Sequence, residues 1–171
     1  MKGIAQIDVA GFIADYTRSR YWTARIVREF EDKDLALEPG PGSMTTAAQV
    51  LQIRQCDNFM LSVLGDDVPT HEAFNKEFDV SSIEACLASL KTGLAEVTAL
   101  AKTLSADKWK EEVSPFGPEW TLSRGQMSYL MIDHEAHHRG QLTVYLRVAG
   151  KTPPVLFAPV DETIFEKNGQ P

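Results

Sequence analysis

Apolar side chains recur at steps of three and four residues in four separate segments, which is the spacing of one buried helix face. The first segment fades at the charged stretch EDKD and at the helix-breaking run 39–43, PGPGS. Its predicted buried face comprises Ile7, Ala10, Ala14, Thr17, Tyr21, Ala24 and Val27. The second segment opens on the capping-box pattern Thr46–Gln49 and ends at Leu64, before Gly65. Both segments are predicted to be amphipathic helices.

The third and fourth segments carry equally clear helix signals. The third opens on a second capping-box pattern, Ser81–Glu84, and its apolar face continues to Leu104. The fourth begins near Thr121 or Ser123 and runs to Ala149, followed by Gly150 and two prolines. The stretches EEVSPF and PVLFAPV are the only ones that suggest short extended pieces. We therefore predict an all-α fold, an antiparallel four-helix bundle with long connections near 65–79 and 105–120.

Composition narrows the class of protein. The 171 residues predict a single domain over 1–171. A net charge of −7 with scattered basic residues argues against a nucleic-acid partner, and no apolar run is long enough to suggest a membrane span. Two cysteines, Cys56 and Cys86, make no disulfide framework, so we expect a reducing, cytoplasmic setting.

Three of the four histidines lie in one short stretch, HEAHHRGQL at 134–142. On a helix, His134 and His138 share a face because residues four apart lie about 40° from each other. Met127, Leu130, Gln141 and Tyr145 fall on the same stripe, so the two imidazoles are predicted to point into the bundle. His137 lies at the edge of that face. Gly140 costs about 1 kcal/mol relative to Ala inside a helix, which predicts close helix packing there.

Two imidazoles at this spacing are a recurrent platform for a first-row metal, although a hydrogen-bonded pair would satisfy them as well. A third ligand must come from another helix, and the second helix offers two polar side chains on its inner stripe. Gln52 could ligate through its amide oxygen or instead hydrogen-bond a histidine without any metal. Cys56 could supply a thiolate or lie beside the ligands. Gln141, one turn after His138, is predicted to orient that histidine.

The letters His134-Glu-Ala-His-His138 also fit the H-E-x-x-H zinc-protease pattern. The extended pattern places Gly where this chain has Gln141 and then requires a further histidine, and no histidine follows His138. No sheet is predicted beside the helix. We therefore disfavour proteolysis.

The segment HEAHHRGQLTVYLRVAGKTPP resembles the DinB family of metal-dependent four-helix-bundle proteins. Its features are the histidine pair, then Arg-Gly-Gln-Leu, then Tyr-Leu-Arg-x-x-Gly and Pro. SMTTAAQVLQI is similar to the second helix of the family and ADYTRSRYWTARIV to the first, so the resemblance covers most of the chain.

This resemblance implies a divalent metal, often nickel, zinc or iron, held by three histidines. Two of them correspond to His134 and His138. The third stands seven residues after a helix-starting Thr, and counting from Thr45 puts Gln52 at that place, so the chain departs from the family pattern there. Family relatives include thiol-cofactor transferases and commonly form homodimers. The implied function is thiol transfer or metal-assisted hydrolysis on a small molecule. The alternative is a non-catalytic protein with a degenerate or empty site and a stress-related or scaffold role.

Overall fold

Four long helices dominate the computed structural model, which describes residues 8–65 and 74–166. They are α1 (Val9–Val27), α2 (Thr46–Leu64), α3 (Ile83–Ala101) and α5 (Arg124–Val148). Between α3 and α5 lie a short helix, α4 (Ala106–Lys110), and two antiparallel strands, β1 (Glu112–Val113) and β2 (Leu122–Ser123). Short 3-10 turns occupy Asp32–Ala36, Pro118–Trp120 and Glu162–Phe165. No helix in these two ranges has both the length and the apolar character needed to cross a membrane.

Each long helix begins at a side chain that accepts a hydrogen bond from the backbone N–H three residues later. These N-caps are Asp8, Thr45, Ser82 and Ser123. The caps of α2 and α3 differ by one residue from the predicted capping boxes, because the hydroxyls of Thr45 and Ser82 make the bonds. Only α5 has a complete capping box among the four, formed by Ser123 and Gln126.

The four helices form a ring in which α1 and α2 each pack against both α3 and α5. Two separate apolar clusters give the helix directions. Helices α1 and α5 begin at one cluster, around Phe12 and Met127, and end at the other, around Val27 and Leu146. Helices α2 and α3 run the opposite way, so the end of α2 and the start of α3 lie at opposite ends of the bundle.

A layer of buried polar side chains separates the two apolar clusters. Helix α1 supplies Arg20 and Thr23, α2 supplies Asp57, and α5 supplies Glu135 and His138. Burying such groups is costly unless they are hydrogen-bonded, so this layer requires matched partners on different helices. It lies midway along the bundle, at the level of the histidine pair.

Two local predictions are wrong, and the predicted buried face of α1 is only partly correct. Ala24 and Val27 of that face are buried and Thr17 and Tyr21 are half-buried, but Ala10 and Ala14 are exposed, and Ile7 lies outside the described residues. The buried side chains of α1 are Phe12, Tyr16, Ser19, Arg20, Thr23, Ala24, Ile26 and Val27. Gly140 packs against nothing, because a Cβ there would meet no atom within 4 Å. The stretch PVLFAPV forms no strand, whereas EEVSPF does contain β1.

Candidate metal centre

The two histidines one turn apart on α5 face each other through their Nε2 atoms, which are 3.3 Å apart. His138 is buried and His134 is half-buried. The rings meet edge to face with centroids 4.5 Å apart. The spacing in sequence thus brings both imidazoles to one point, on the side of α5 that packs against α2.

A chain of hydrogen bonds determines which nitrogen of His138 carries its proton. The Tyr145 hydroxyl donates to the carbonyl oxygen of Met44, 2.8 Å away, so it accepts from the Gln49 amide nitrogen at 3.2 Å. The Gln49 amide oxygen therefore faces His138 Nδ1, 2.5 Å away, and can only accept. Neutral His138 consequently carries its proton on Nδ1 and presents a lone pair at Nε2.

Cys56 lies on the other side of the pair, with its Sγ 2.9 Å from Nδ1 of His134. Because the lone pair of His138 faces His134, Nε2 of His134 donates and its Nδ1 accepts from the Cys56 thiol. Burial raises the pKa of Cys56, which keeps the thiol protonated. The histidine pair is thus satisfied at both ends by α2 side chains.

Both imidazoles are held neutral. Burial, together with smaller contributions from the neighbouring His134 and His137, lowers the pKa of His138 to about 4. Burial also lowers the pKa of His134, with a smaller contribution from His137. Neutral imidazole is the form that binds a metal, so neither ring has to be deprotonated from an imidazolium before it binds.

The separation of the two Nε2 atoms fits a shared metal ion. Two nitrogens about 2.05 Å from a tetrahedral metal lie about 3.3 Å apart, which is the distance between His134 and His138. Nε2 of His138 is already free of its proton. His134 would carry its proton on Nδ1 instead, toward the Cys56 sulfur. Within residues 8–65 and 74–166, no three His, Cys, Asp or Glu side chains are grouped as a metal site requires.

Comparison with known protein families assigns the chain to one family. The sequence model of the DinB family matches residues 11–168, which is nearly the whole chain. The chain belongs to the DinB family. A curated relative, the uncharacterised protein YrdA of Bacillus subtilis, is 30% identical over 95 residues, which are 56% of this chain and 50% of YrdA. The chain therefore spans about half the length of that relative.

Solved structures share the fold at low sequence identity. A DinB-like protein from Bacillus cereus has a TM-score of 0.72 at 21% identity, over 86% of this chain and 97% of that one. The DinB-like protein YjoA of Bacillus subtilis has a TM-score of 0.68 at 21% identity, over 85% and 96%. YfiT of Bacillus subtilis, described as a probable metal-dependent hydrolase with an unusual four-helix-bundle topology, has a TM-score of 0.64 at 19% identity, over 89% and 93%. The predicted four-helix bundle is confirmed.

In this DinB protein, Gln52 lies on α2 between the two residues that contact the histidines. Gln49 is one turn before it and Cys56 one turn after it, and these contact His138 and His134 respectively. Gln52 is half-buried, and its amide nitrogen donates to Gln55 at 2.9 Å. That bond leaves the Gln52 amide oxygen as the atom available for a ligand.

The predicted role of Gln141 is wrong. Its amide nitrogen lies 2.8 Å from Nε2 of the exposed His137, while His138 is oriented by Gln49. The one-turn spacing from His138 to Gln141 is correct, but the side chain turns to the other histidine. The α2 residue Gln49 takes this role. Its position three residues before Gln52 and seven before Cys56, on one helix face, was the sequence signal for it.

Glu135, the glutamate of the H-E-x-x-H letters, points away from the histidines. Its carboxylate is 2% exposed and accepts from the Thr23 hydroxyl at 2.6 Å and from Arg20 at 3.1 Å. Arg20 also donates to both carboxylate oxygens of Asp57, at 3.0 and 2.5 Å, and the Tyr16 hydroxyl donates to Asp57 at 2.6 Å. A carboxylate engaged in this way is not a base for a metal-bound water, which agrees with the disfavoured protease reading.

Proposed function

We propose that this DinB-family protein is a metal-dependent enzyme acting on a small molecule, with His134, His138 and Gln52 as the protein ligands of a divalent metal. The observation that carries the proposal is the pair of Nε2 atoms 3.3 Å apart, with the lone pair of His138 directed at the gap. Metal-ligating histidines typically donate their other ring N–H to an oxygen, and His138 donates to Gln49 in this way.

The proposed chemistry is hydrolysis or thiol transfer. A bound divalent metal lowers the pKa of a coordinated water or thiol and so makes a nucleophile at neutral pH. The chain itself holds the His138 ring in one tautomer through Gln49 and provides Cys56 as the partner of His134 Nδ1. The description of YfiT as a probable metal-dependent hydrolase supports the hydrolytic class among relatives of this fold. Nickel, zinc and iron are the metals we propose.

A non-catalytic protein is the second candidate, and one observation favours it. The sequence of hydrogen bonds from Cys56 through both histidines to Gln49 and Tyr145 satisfies every ring nitrogen without a metal. A neutral carboxamide is also a weaker donor to these metals than imidazole. In this case the histidines are a buried polar pair in a scaffold or stress-related protein.

Metal retention separates the two candidates. Untagged protein is exposed to Zn²⁺, Ni²⁺, Mn²⁺ or Fe²⁺, washed exhaustively and measured by elemental analysis. The enzyme proposal expects about one equivalent per chain, lost in His134→Ala and in His138→Ala. His137→Ala is the matched control, since that neighbouring ring is exposed and turned to Gln141.

Gln52→His adds a test of the third position. If Gln52 is the weak ligand, this variant binds metal at least tenfold more tightly than the parent protein. Retention of no metal by the parent, together with unchanged weak binding in Gln52→His, would favour the scaffold. Metal that survives in both histidine variants would place the site elsewhere.

We further propose a cytoplasmic homodimer. Both cysteines are free and buried, as suits a reducing compartment. Val144 and Val148 present an exposed apolar face one turn apart on α5, where a second chain could pack. Light scattering coupled to size exclusion tests the assembly, and a mass of one chain at all concentrations would refute it.

A further inference from the structure

Three glutamines follow one another at three-residue spacing on α2, and the side-chain amide of each makes a hydrogen bond. Gln49 contacts His138, and Gln52 is the third ligand of the proposed metal centre. Gln55 follows Gln52 by one turn and is 5% exposed. A buried amide needs a partner for its nitrogen and another for its oxygen, so the partners of Gln55 determine which way it is turned.

The orientation of Gln55 is determined by a backbone carbonyl. Its side-chain nitrogen lies 3.0 Å from the carbonyl oxygen of Lys76. A carbonyl oxygen only accepts, so Gln55 presents its nitrogen to Lys76 and its oxygen to the other side. That oxygen accepts from the side-chain nitrogen of Gln52 at 2.9 Å. Gln52 is therefore held with its nitrogen toward Gln55, and its oxygen is the end left for a ligand.

The segment that provides this carbonyl is itself held against α2 by two ring contacts. Phe74 stacks on the buried Phe59 with ring centroids 4.4 Å apart. Phe78 covers the guanidinium of the buried Arg54, which lies 4.1 Å from the ring centroid. Lys76 lies between these two contacts in sequence. Its carbonyl is therefore in place before any ligand arrives, as a supporting contact of a binding site must be.

The orientation of Gln52 decides whether it is a ligand at all. A carboxamide has an oxygen with two lone pairs at one end and an NH₂ group without a usable lone pair at the other. The oxygen binds a cation and the NH₂ group repels it. A half-turn about the last side-chain bond of Gln52 exchanges the two ends. The bond to Gln55 removes this ambiguity, because it engages the nitrogen.

We infer that Gln55 is a positioning residue, which holds the Gln52 amide with its oxygen presented to the divalent metal. The identity of the ligand rests on the proposed function, whereas the orientation of Gln52 is a property of the metal-free chain. Without Gln55, the metal itself must immobilise the Gln52 side chain. We expect the loss of this preorganisation to weaken metal binding about three- to tenfold.

The Zn²⁺ affinity of the full chain, measured by competition with a chromophoric chelator, tests this role. Gln55→Leu should weaken Zn²⁺ binding about three- to tenfold. In a Gln52→Ala background the same substitution should change the affinity less than about twofold, because Gln55 acts through Gln52. An equal loss with and without Gln52, or no loss in the parent protein, overturns the inference.

Asn58→Ala is the matched control. Asn58 lies three residues after Gln55 on α2, and its side-chain oxygen accepts from Lys76 Nζ at 3.4 Å. The substitution removes a different contact between α2 and the same segment and should leave the Zn²⁺ affinity within about twofold of the parent protein. A loss in Asn58→Ala as large as that in Gln55→Leu means that any loosening of the segment weakens the site, which also overturns the inference.

The side-chain amide of Gln52 gives a second measurement, which needs no metal. Its ¹⁵N–¹H signals are assigned in metal-free protein by their absence in Gln52→Ala. Their exchange with water should be about two- to tenfold faster in Gln55→Leu and unchanged in Asn58→Ala. Equal exchange in the parent protein and in Gln55→Leu overturns the inference. Gln55→Met, which is similar in length and also lacks the amide, replaces Gln55→Leu if that variant does not fold.

The two measurements separate failure of this inference from failure of the proposed function. If the parent protein binds no Zn²⁺ but amide exchange responds to Gln55→Leu, the orientation of Gln52 by Gln55 is supported and the metal proposal fails. If Zn²⁺ binds and neither the affinity nor the exchange responds to Gln55→Leu, the metal proposal stands and Gln55 has no positioning role.

Discussion

Replacing Glu135 by Gln tests whether the buried polar layer is structural or catalytic. The carboxylate of Glu135 is 2% exposed and joins α5 to two α1 side chains, Arg20 and Thr23. An H-E-x-x-H protease would use this glutamate as a base, so the same substitution would abolish activity and leave stability intact. The contacts of Glu135 predict the opposite pattern.

The expected loss of stability follows from what the amide can retain. Hydrogen bonds to charged groups contribute about 1.5–3 kcal/mol each, and removing one partner of a buried ion pair costs about 3–5 kcal/mol. Arg20 keeps its two bonds to Asp57, and the new amide oxygen can accept one of the two bonds that Glu135 makes. We therefore expect Glu135→Gln to lower the free energy of unfolding by about 2–3 kcal/mol.

Urea unfolding followed by far-UV circular dichroism measures this loss. With a slope of about 2–3 kcal/mol per molar urea, the midpoint should fall by about 1 M. Asp133→Asn is the matched control, since it makes the same chemical change two residues away on the exposed side of α5, and it should stay within about 0.5 kcal/mol of the parent. A Glu135→Gln protein as stable as the control would refute the structural role.

Two further predictions use the same unfolding assay. The pKa of His138 is 6.5 in the unfolded chain and about 4 in the folded protein, so the unfolded chain takes up this proton first as the pH falls. The free energy of unfolding is therefore unaffected by His138 above pH 6.5 and decreases as the pH falls toward 4. The metal-free protein should lose about 2 kcal/mol from this group between pH 7.5 and 5, and His138→Gln should remove that part of the slope; an equal slope in both proteins contradicts it. Gly93→Ala should destabilise by at least about 1 kcal/mol, since its Cβ would lie 2.0 Å from the Asp57 carboxylate that binds Arg20. Gly140→Ala meets nothing within 4 Å and should stabilise by up to about 1 kcal/mol, so the reverse order of the two alanine variants would be inconsistent with these surroundings.

Helix α3 was predictable from the sequence because apolar periodicity alone determines its buried face. Helix α1 was not, because its buried face includes Ser19, Arg20 and Thr23, which a periodicity argument assigns to solvent. Arg20 is buried only because Asp57 and Glu135 on two other helices meet it. Such pairing depends on residues 37 and 115 positions away, and a single sequence does not reveal which distant residues come together.

The same limit applies to the candidate metal centre. Four residues along one helix suffice to bring His134 and His138 together, so that contact was predictable. Which α2 residues contact them depends on the position of α2 along the axis of α5. The buried polar layer determines that position. Asp57 adjoins Cys56 in sequence and Glu135 adjoins His134, and Arg20 binds both carboxylates.

This bridge by Arg20 holds the two backbones at the level where Cys56 contacts His134 and, two turns earlier on α2, Gln49 contacts His138. Gln52 lies between Gln49 and Cys56 on the same face of α2, which is why we propose it as the third ligand. The buried ion pairs and the histidine pair are therefore one structural unit. Weakening the Arg20 bridge should disturb the histidine pair even though Arg20 contacts neither ring in the hydrogen bonds described above.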